Sequence, residues 1–404
     1  MSSARPPAQR TRLGLRLTAA AALGRFELQQ CTRCDTVQYP PREACHNCLS
    51  TRLVWRVQPA RGSLISTAVL FHSHHEYFRQ RLPWPIGTVR LDCGPIVIAH
   101  LHQAVGPAPC PVRVLLRLDR SGQGVMVAAP DTEVVDMSSD ARLSEMTCDP
   151  AGQHVLLTDG GSATGAAVVR ALLGAGAGRV WVGWSGEGRD LALAGIKDLD
   201  NVSLLPLDLR NSESVAAAAA VCGDSIDILI NNSMLAGPEL QQTQADLALL
   251  HQAQAHMDAN YFGLLRLVEK FGPRMTRRSS PDPRPEHGPR AERGRRPAWV
   301  NLLSVDAMSN VPARGTYGAS MAAAHSLAQW LRAHMYEHGV RVISAFVGPM
   351  EADALAEAIV QGLRAGVEEV HAGDVAQQWL ARWLESPKVL ERELASDAHR
   401  KEAQ

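Results

Sequence analysis

The fold is decided by residues 154–173, which read HVLLTDGGSATGAAVVRALL. The apolar run 154–158 predicts a buried strand, and the Ala/Leu-rich run 166–173 predicts a helix. Between them lies a glycine-rich turn, 158–165, which brings backbone N–H groups to the N-terminus of that helix. This strand–turn–helix unit indicates the start of an α/β domain.

Outward from this unit, apolar runs alternate with helical stretches along most of the remaining chain. Further strands are predicted at residues 179–182, 202–206, 226–230, 299–303 and 341–346. Continuous apolar strands separated by helices are typical of a parallel sheet covered on both faces. The sequence therefore predicts a doubly wound α/β domain of the Rossmann type over residues 153–404.

Residues 273–298 interrupt this alternation. They contain eight arginines and three acidic residues among many Pro, Ser and Gly. Such a segment cannot bury a core, so we expect a disordered surface insertion within the domain. Its positive charge could attract an anionic partner, but a solvated loop is the simpler interpretation.

The chain before residue 150 has a different character. Short strand-like runs lie at residues 62–71, 86–91 and 95–101, separated by Gly-Pro breakers. They predict an all-β unit over residues 26–135. We expect residues 1–25 to form a helical arm and residues 136–152 to form a polar linker.

Two close cysteine pairs stand inside this β unit. The pair Cys31-Thr-Arg-Cys34 is followed ten residues later by Cys45-His-Asn-Cys48. Four thiolates fill the tetrahedral coordination that Zn²⁺ prefers and leave no position for water, so the predicted zinc is structural. The nearby cluster 72–76 (HSHHE) is not expected to hold a second metal, because adjacent strand residues face opposite sides.

Composition narrows the class of protein. The 404 residues include 41 basic and 41 acidic side chains, a balance that excludes a generally nucleic-acid-binding or acidic, solvating chain. No run approaches the roughly 20 apolar residues of a membrane span. The absence of a clear export signal and the paired cysteines favour a reducing compartment, so we expect a cytoplasmic protein.

Residues 24–130 resemble the zinc-ribbon plus OB-fold family associated with acyl-CoA enzymes. The resemblance is carried by residues 24–31 (GRFELQQC), Tyr39-Pro-Pro41 between the knuckles, and Gly94-Pro95 after the first barrel strand. It implies a rubredoxin-like ribbon followed by a β-barrel. It also implies a non-catalytic partner of a thiolase-like, aldolase or hydratase enzyme, with acyl-CoA as the handled group. OB-folds also bind oligonucleotides, but this segment lacks the aromatic and basic surface that nucleic acid needs.

Residues 152–380 resemble the short-chain dehydrogenase/reductase family. Five features carry the resemblance, namely the glycine-rich turn 158–165, Leu207-Asp208-Leu209, Asn231-Asn232, Asn260-Tyr-Phe-Gly263, and Ser304 thirteen residues before Tyr317. The resemblance implies that Tyr317 is a general acid/base, that Ser304 polarises the substrate oxygen and that Asn260 supports a proton relay. It further implies an NAD or NADP site, formed by Thr158, Gly160, Gly161, Gly165, Asp208 and Asn231.

The same region departs from the family at decisive positions. A lysine is expected four residues after Tyr317, where it would bind the nicotinamide ribose and lower the tyrosine pKa, but Met321 stands there. Moving a tyrosine pKa from about 10 to about 7 takes roughly 4 kcal/mol, for which methionine offers no charge. Asp159 and Ala163 replace two glycines of the cofactor turn, and Ser233-Met234 replaces the usual Ala-Gly. These departures argue against nicotinamide binding.

Two functions remain open from the sequence, and nucleic-acid binding through the barrel and the arginine-rich insertion is a third that composition supports only weakly. In the first, the protein is an accessory or scaffold subunit of an acyl-CoA-processing complex, oligomeric through a degenerate dehydrogenase domain that pairs with itself or with an active homologue. Asn260 would then fix a backbone bulge, Ser304 would cap a strand end and Tyr317 would pack in the core. In the second, it is an active oxidoreductase that interconverts 3-hydroxyacyl-CoA and 3-oxoacyl-CoA, with another cation, His325 being nearest in sequence, in place of the lysine.

Overall fold

The structure is a computed structural model that describes residues 4–132, 135–186, 193, 195–232, 245–279 and 297–402. Its packing divides the chain into two compact units. The first contains the described residues up to Cys148 together with 364–367, and the second contains those from Asp149 to 363 and from 368 onward.

The zinc-ribbon segment is a small antiparallel sheet in the order β2-β1-β3. Its strands are β1 (Glu27–Cys31), β2 (Val37–Gln38) and β3 (Leu53–Val57). All five residues of β1 pair with β3, from Glu27 opposite Val57 to Cys31 opposite Leu53. This pairing fixes Cys31, the first predicted zinc ligand, at the end of the central strand.

A closed five-stranded barrel follows, in the order β4-β5-β6-β8-β7. Its strands are β4 (Arg61–Leu70), β5 (Trp84–Leu91), β6 (Ile96–Leu101), β7 (Cys110–Leu118) and β8 (Gly124–Pro130). The predicted N-terminal helix is observed as α1 (Leu15–Ala22), and its apolar residues pack into the barrel core. A four-residue helix, α2 (Glu76–Arg79), lies between β4 and β5.

The predicted linker 136–152 is partly folded. Two 3-10 turns, Met137–Ser139 and Ser144–Met146, occur within it. Met137, Leu143 and Met146 are buried in one apolar cluster with Tyr77 and Trp84. The apolar side chains of this stretch therefore belong to the first unit, whereas the sequence predicted a polar linker here.

The second unit is a seven-stranded parallel sheet in the order β11-β10-β9-β12-β13-β14-β15. Its strands are β9 (His154–Leu157), β10 (Arg179–Trp184), β11 (Val202–Pro206), β12 (Ile228–Asn231), β13 (Ala298–Ser304), β14 (Arg341–Val347) and β15 (Glu369–Ala372). The strand order reverses between β9 and β12. In doubly wound sheets ligands bind at such a reversal, outside the carboxyl ends of the strands.

Helices accompany this sheet along the chain. They are α3 (Ala163–Gly174), α4 (Ser212–Cys222), α5 (Ala245–His256), α6 (Gly263–Ser279), α7 (Gly315–Tyr336), α8 (Ala352–Ala365), α9 (Gly373–Glu385) and α10 (Pro387–Glu402). A π-helical turn, Met257–Phe262, joins α5 to α6. The doubly wound fold predicted from the sequence is confirmed, as are the ribbon and the barrel.

Both ends of the predicted insertion 273–298 were wrong. It was expected to begin at residue 273, but residues 273–279 are the last turns of α6 and include Pro273. Phe271 and Met275 are buried in the sheet's core, which holds this part of the chain in the helix. Ala298 is already the first residue of β13, and residues 280–296 lie outside the described residues. Among the described helices, none combines the length and apolarity needed to cross a membrane.

Candidate functional site

The four paired cysteines converge at one point of the ribbon. Their Sγ atoms all lie within 4.8 Å of one another, with Cys31 3.6 Å from Cys48 and Cys34 3.7 Å from Cys45. A tetrahedral zinc with bonds of about 2.3 Å requires sulfur atoms about 3.8 Å apart. The residues present therefore fit zinc. Within the described parts of the chain, this is the one group of three or more His, Cys, Asp or Glu side chains close enough to share an ion.

The two knuckles are built alike. In each, the residue after the second cysteine, Asp35 or Leu49, adopts a positive φ and returns its N–H to the carbonyl of the first cysteine. The turn aims both thiols of a pair inward. The hydroxyl and backbone of Thr36 also lower the pKa of Cys34 to about 6, which favours the thiolate that binds metal.

The candidate cofactor turn lies at the strand-order reversal of the second unit. Thr158 follows β9, and its hydroxyl donates to Asn231 Oδ1 at 3.1 Å at the end of β12. Asn232 binds both the backbone N–H and the carbonyl of Asp159. The structure thus brings together Thr158, Gly160, Gly165 and Asn231, which were predicted together from separate parts of the sequence.

Two glycines of this turn are required by close packing. A Cβ atom on Gly165 would overlap the carbonyl oxygen of Asp159, and one on Gly160 would overlap Val182. Ser162 caps α3 by accepting a hydrogen bond from the Gly165 N–H at 3.0 Å. The backbone geometry of the turn therefore depends on glycine where the sequence retains it.

The turn's hydrogen-bond donors are partly occupied from within. The Asp159 carboxylate accepts from the N–H of Gly161 at 3.0 Å. A carboxylate in this place repels a pyrophosphate and takes up an amide that could have bound one. These residues therefore do not fit a dinucleotide as the family's glycine turn would.

The Asp208 carboxylate forms an ion pair with a neighbouring side chain. Its two carboxylate oxygens pair with Arg210 at 3.0 and 3.1 Å, and hydrogen bonds from Arg210 hold the pKa of Asp208 below its usual range. Ser233-Met234, which replace the family's usual Ala-Gly, lie outside the described residues.

Ser304 lies close enough to Tyr317 to act on the pKa of its phenol. Ser304 ends β13 and Tyr317 lies in the first turn of α7. Burial raises the pKa of Tyr317 above its ordinary value, and hydrogen bonding to Ser304 offsets only part of the rise. The tyrosine is therefore protonated at neutral pH, in the form that donates a proton rather than accepts one.

Met321 lies at the position where the family carries lysine. Its side chain is 1% exposed and belongs to the same apolar cluster as Tyr317. His325, proposed from the sequence as a substitute cation, instead packs its ring on Phe346 with centroids 5.1 Å apart. Burial lowers the pKa of His325, so it carries no charge at neutral pH.

Asn260 lies in the π-helical turn and is buried. Its Nδ2 donates to Ser320 Oγ at 2.9 Å, and that hydroxyl donates to the carbonyl of Tyr317 at 2.7 Å. This chain of hydrogen bonds joins the turn to the first part of α7. Asn260 thus supports the backbone that carries Tyr317.

Sequence reasoning missed two charged residues at this site, Asp306 and Arg314. Ser304 Oγ donates to Asp306 Oδ2 at 2.8 Å, and Arg314 Nη1 lies 3.1 Å from the same oxygen. The other oxygen, Oδ1, is buried and has no hydrogen-bond partner within the described part of the chain. Burial raises the pKa of Asp306, while Ser304 and Arg314 act to lower it. The only available signal was an acidic residue two positions after Ser304.

Comparison with known protein families agrees with this architecture. The short chain dehydrogenase family model matches residues 153–361. Residues 18–54 match the ChsH2 rubredoxin-like zinc ribbon domain, and residues 55–119 match the ChsH2 C-terminal OB-fold domain. Because the first match covers more than half of the chain, the protein belongs to the short-chain dehydrogenase family, with a ribbon and an OB-fold ahead of that domain.

Individual curated proteins are similar to about half of this chain. An uncharacterized oxidoreductase of Mycobacterium bovis is 31% identical over 198 residues, covering 47% of this chain and 52% of that protein. A fatty acyl-CoA reductase of Acinetobacter baylyi is 24% identical over 201 residues, covering 48% of this chain and 62% of that protein. The chain thus spans about half the length of the curated relatives it matches.

A solved structure also superposes on this part of the chain. It is a short chain dehydrogenase from Burkholderia cenocepacia J2315 in complex with NADP, 26% identical, with a TM-score of 0.51. The match covers 61% of this chain and 98% of that one.

Proposed function

We propose that the protein is an accessory or scaffold subunit of an acyl-CoA-processing complex with a thiolase- or aldolase-type partner. Its dehydrogenase domain serves assembly, pairing with a second copy or with an active homologue. The ribbon and OB-fold, which match domains of the ChsH2 type, support a role beside acyl-CoA enzymes, and a relative named fatty acyl-CoA reductase is compatible with that substrate class.

The proposal that the dehydrogenase domain serves assembly rests mainly on one observation. Met321 is buried in the core where a lysine would have to stand beside the cofactor and Tyr317. The burial of Tyr317 raises its pKa, and no lysine charge at that position counteracts the rise. Asp159 adds a second obstacle by placing a carboxylate in the cofactor turn.

Calorimetric titration of the full zinc-loaded chain with NAD(H) and NADP(H) tests this proposal, together with co-purification from the native host. We expect no saturable nucleotide binding below about 1 mM and recovery of an acyl-CoA enzyme in fixed stoichiometry. Stoichiometric nicotinamide binding at micromolar concentration contradicts the proposal.

A second candidate is an oxidoreductase that interconverts 3-hydroxyacyl-CoA and 3-oxoacyl-CoA. The observation in its favour is the contact between Ser304 and Tyr317, with Arg314 close enough to lower the pKa of Tyr317. A panel of hydroxyacyl-CoAs with both nicotinamides and the partner protein tests it. Turnover that Tyr317→Phe abolishes establishes this function, and absence of turnover across the panel excludes it.

A further inference from the structure

The first unit contains a cavity of about 230 Å³, which we call the barrel cavity. Its walls include the rings of Tyr77, Phe78 and Trp84. Phe78 meets Tyr77 and Trp84 edge to face, with ring centroids 5.0 and 5.1 Å apart. Such packing fixes the rings and gives the cavity an aromatic, apolar wall.

The size of the barrel cavity limits what it can hold. An apolar cavity of about 150 Å³ accommodates one benzene ring, and pockets for drug-sized ligands begin near 300 Å³. A volume of about 230 Å³ lies between the two. It suits one ring or two fused rings, and it is too small for a whole nucleotide.

His100 supplies a hydrogen-bond donor to the barrel cavity. Its Nδ1 accepts a hydrogen bond from the Trp84 indole N–H at 2.9 Å. Burial lowers the pKa of His100 to about 4, so the ring is neutral at pH 7 and carries its proton on Nε2. Nε2 makes no hydrogen bond within the described residues, and His100 lines the cavity.

Asp119 supplies an acceptor. Its Oδ1 accepts from the backbone N–H groups of Ser121 and Gln123 at 2.7 and 2.9 Å, which fixes the carboxylate. Its Oδ2 has no hydrogen-bond partner in the described chain, although the residue is only 3% exposed and lines the cavity. Arg10 also lines the cavity, and its positive charge offsets that of Asp119.

We propose that the barrel cavity binds an uncharged, flat molecule of one or two fused rings. The molecule offers an acceptor to His100 Nε2 and an N–H or O–H donor to Asp119 Oδ2. A net charge on the ligand is disfavoured because Arg10 and Asp119 balance one another. A purely apolar ring is disfavoured because it would leave both polar groups buried and unpaired.

Calorimetry on the full zinc-loaded chain tests the ligand class with two matched probes. 2-Quinolinone is a neutral bicyclic lactam with one N–H donor and one carbonyl acceptor, and N-methyl-2-quinolinone carries a methyl group in place of the donor hydrogen. We expect saturable binding of the lactam below 1 mM, and binding of the N-methyl probe at least about tenfold weaker, since Asp119 then stays unpaired. Equal affinities for the two probes, or no lactam binding at 1 mM, overturn the proposal.

Three variants test the location. Asp119→Asn keeps the oxygen that accepts from Ser121 and Gln123 but turns the free oxygen into a donor, so the preference for the lactam over the N-methyl probe should be lost. Val125→Phe fills the cavity and should abolish binding. Asp131→Asn is the control, because Asp131 pairs with Arg61 and Arg113 and does not line the cavity.

The variants also separate this inference from the proposed function. If Val125→Phe folds, judged by its melting temperature and zinc content, but binds the lactam as the wild type does, the ligand lies elsewhere and the proposal fails. If Asp119→Asn does not fold, the comparison of the two probes on the wild type decides. Neither readout depends on nicotinamide binding or on a partner enzyme.

Discussion

Met321 stands where the family carries lysine, and it shows how a site position can be filled by an apolar packing residue within the same fold. Its side chain is nearly fully buried beside Tyr317 in the apolar core of the second unit. A thioether satisfies that environment without a hydrogen bond, whereas a lysine would need a counter-charge or water. The surroundings of Met321 are therefore those of an apolar residue packed in a core.

We predict that Met321→Lys lowers the free energy of unfolding by about 3–5 kcal/mol, because the ammonium would be buried without a partner. Urea unfolding followed by circular dichroism measures it. Met321→Leu, the matched control, conserves volume and should cost less than about 1.5 kcal/mol. A lysine variant as stable as the wild type would mean that a partner for the cation is still present.

Asp306 and Arg314 form the other decisive contact at this scale. The Asp306 side chain is fully buried, and Arg314 Nη1 lies 3.1 Å from its Oδ2. Because Arg314 is about one-third exposed, solvent screens the pair and its contribution falls below that of a fully buried one. Losing the arginine still leaves a buried carboxylate without its cation.

We predict that Arg314→Ala lowers the unfolding free energy by about 2 kcal/mol at pH 7. Burial raises the folded-state pKa of Asp306, so the folded protein takes up this proton more readily than the unfolded chain. The deficit should therefore shrink as pH falls through that pKa. In a double-mutant cycle with Asp306→Asn, the coupling should reach about 1 kcal/mol at pH 7. A coupling near zero would show that the ion pair contributes nothing.

At the scale of elements, the sequence predicted those strands that are continuous apolar runs. Strands β9 to β14 were predicted because they read as apolar stretches, and the central strands β9, β12, β13 and β14 are buried along most of their length. Strand β15 (Glu369–Ala372) was not, because it is a short edge strand whose first three residues are only partly buried. Two side-chain hydrogen bonds at the site, Asn260 to Ser320 and Ser304 to Asp306, were not predicted for a different reason. They depend on tertiary positions or on a turn that no periodicity reports.

The glycine-rich turn was predicted from the sequence, and the packing around it explains why glycine is needed at particular positions. We predict that Gly165→Ala lowers the unfolding free energy by about 2 kcal/mol, because its Cβ would overlap the backbone of Asp159. Gly174→Ala, in the same helix, is the control. A Cβ there meets nothing within 4 Å, so it should be neutral or stabilise by up to about 1 kcal/mol. If both variants unfold alike, the close approach at Gly165 is not what retains the glycine.

At the scale of the whole molecule, two units with separate cores share one chain. In the first unit, the core lies between α1, the ribbon and the barrel strands. The dehydrogenase domain has a separate core around its own sheet. Covalent linkage holds anything bound by one unit at an effective concentration near millimolar for the other. Under the proposed function, a dehydrogenase domain without hydride transfer would still have a role. By pairing with its partner protein, it would hold the ribbon and barrel close to that partner.

The zinc site tests whether the first unit depends on metal while the second does not. Structural zinc supplies folding free energy outright, and the ribbon's short strands have little core of their own. We predict one zinc per chain in the wild type and loss of that zinc in Cys45→Ser, measured by atomic emission. Hydrogen exchange should then accelerate across β1 to β3 and remain unchanged in β13, a central strand of the other unit. Cys93→Ser, outside the four-cysteine group, should alter neither quantity. Acceleration that spreads into β13 would show that the two units unfold together.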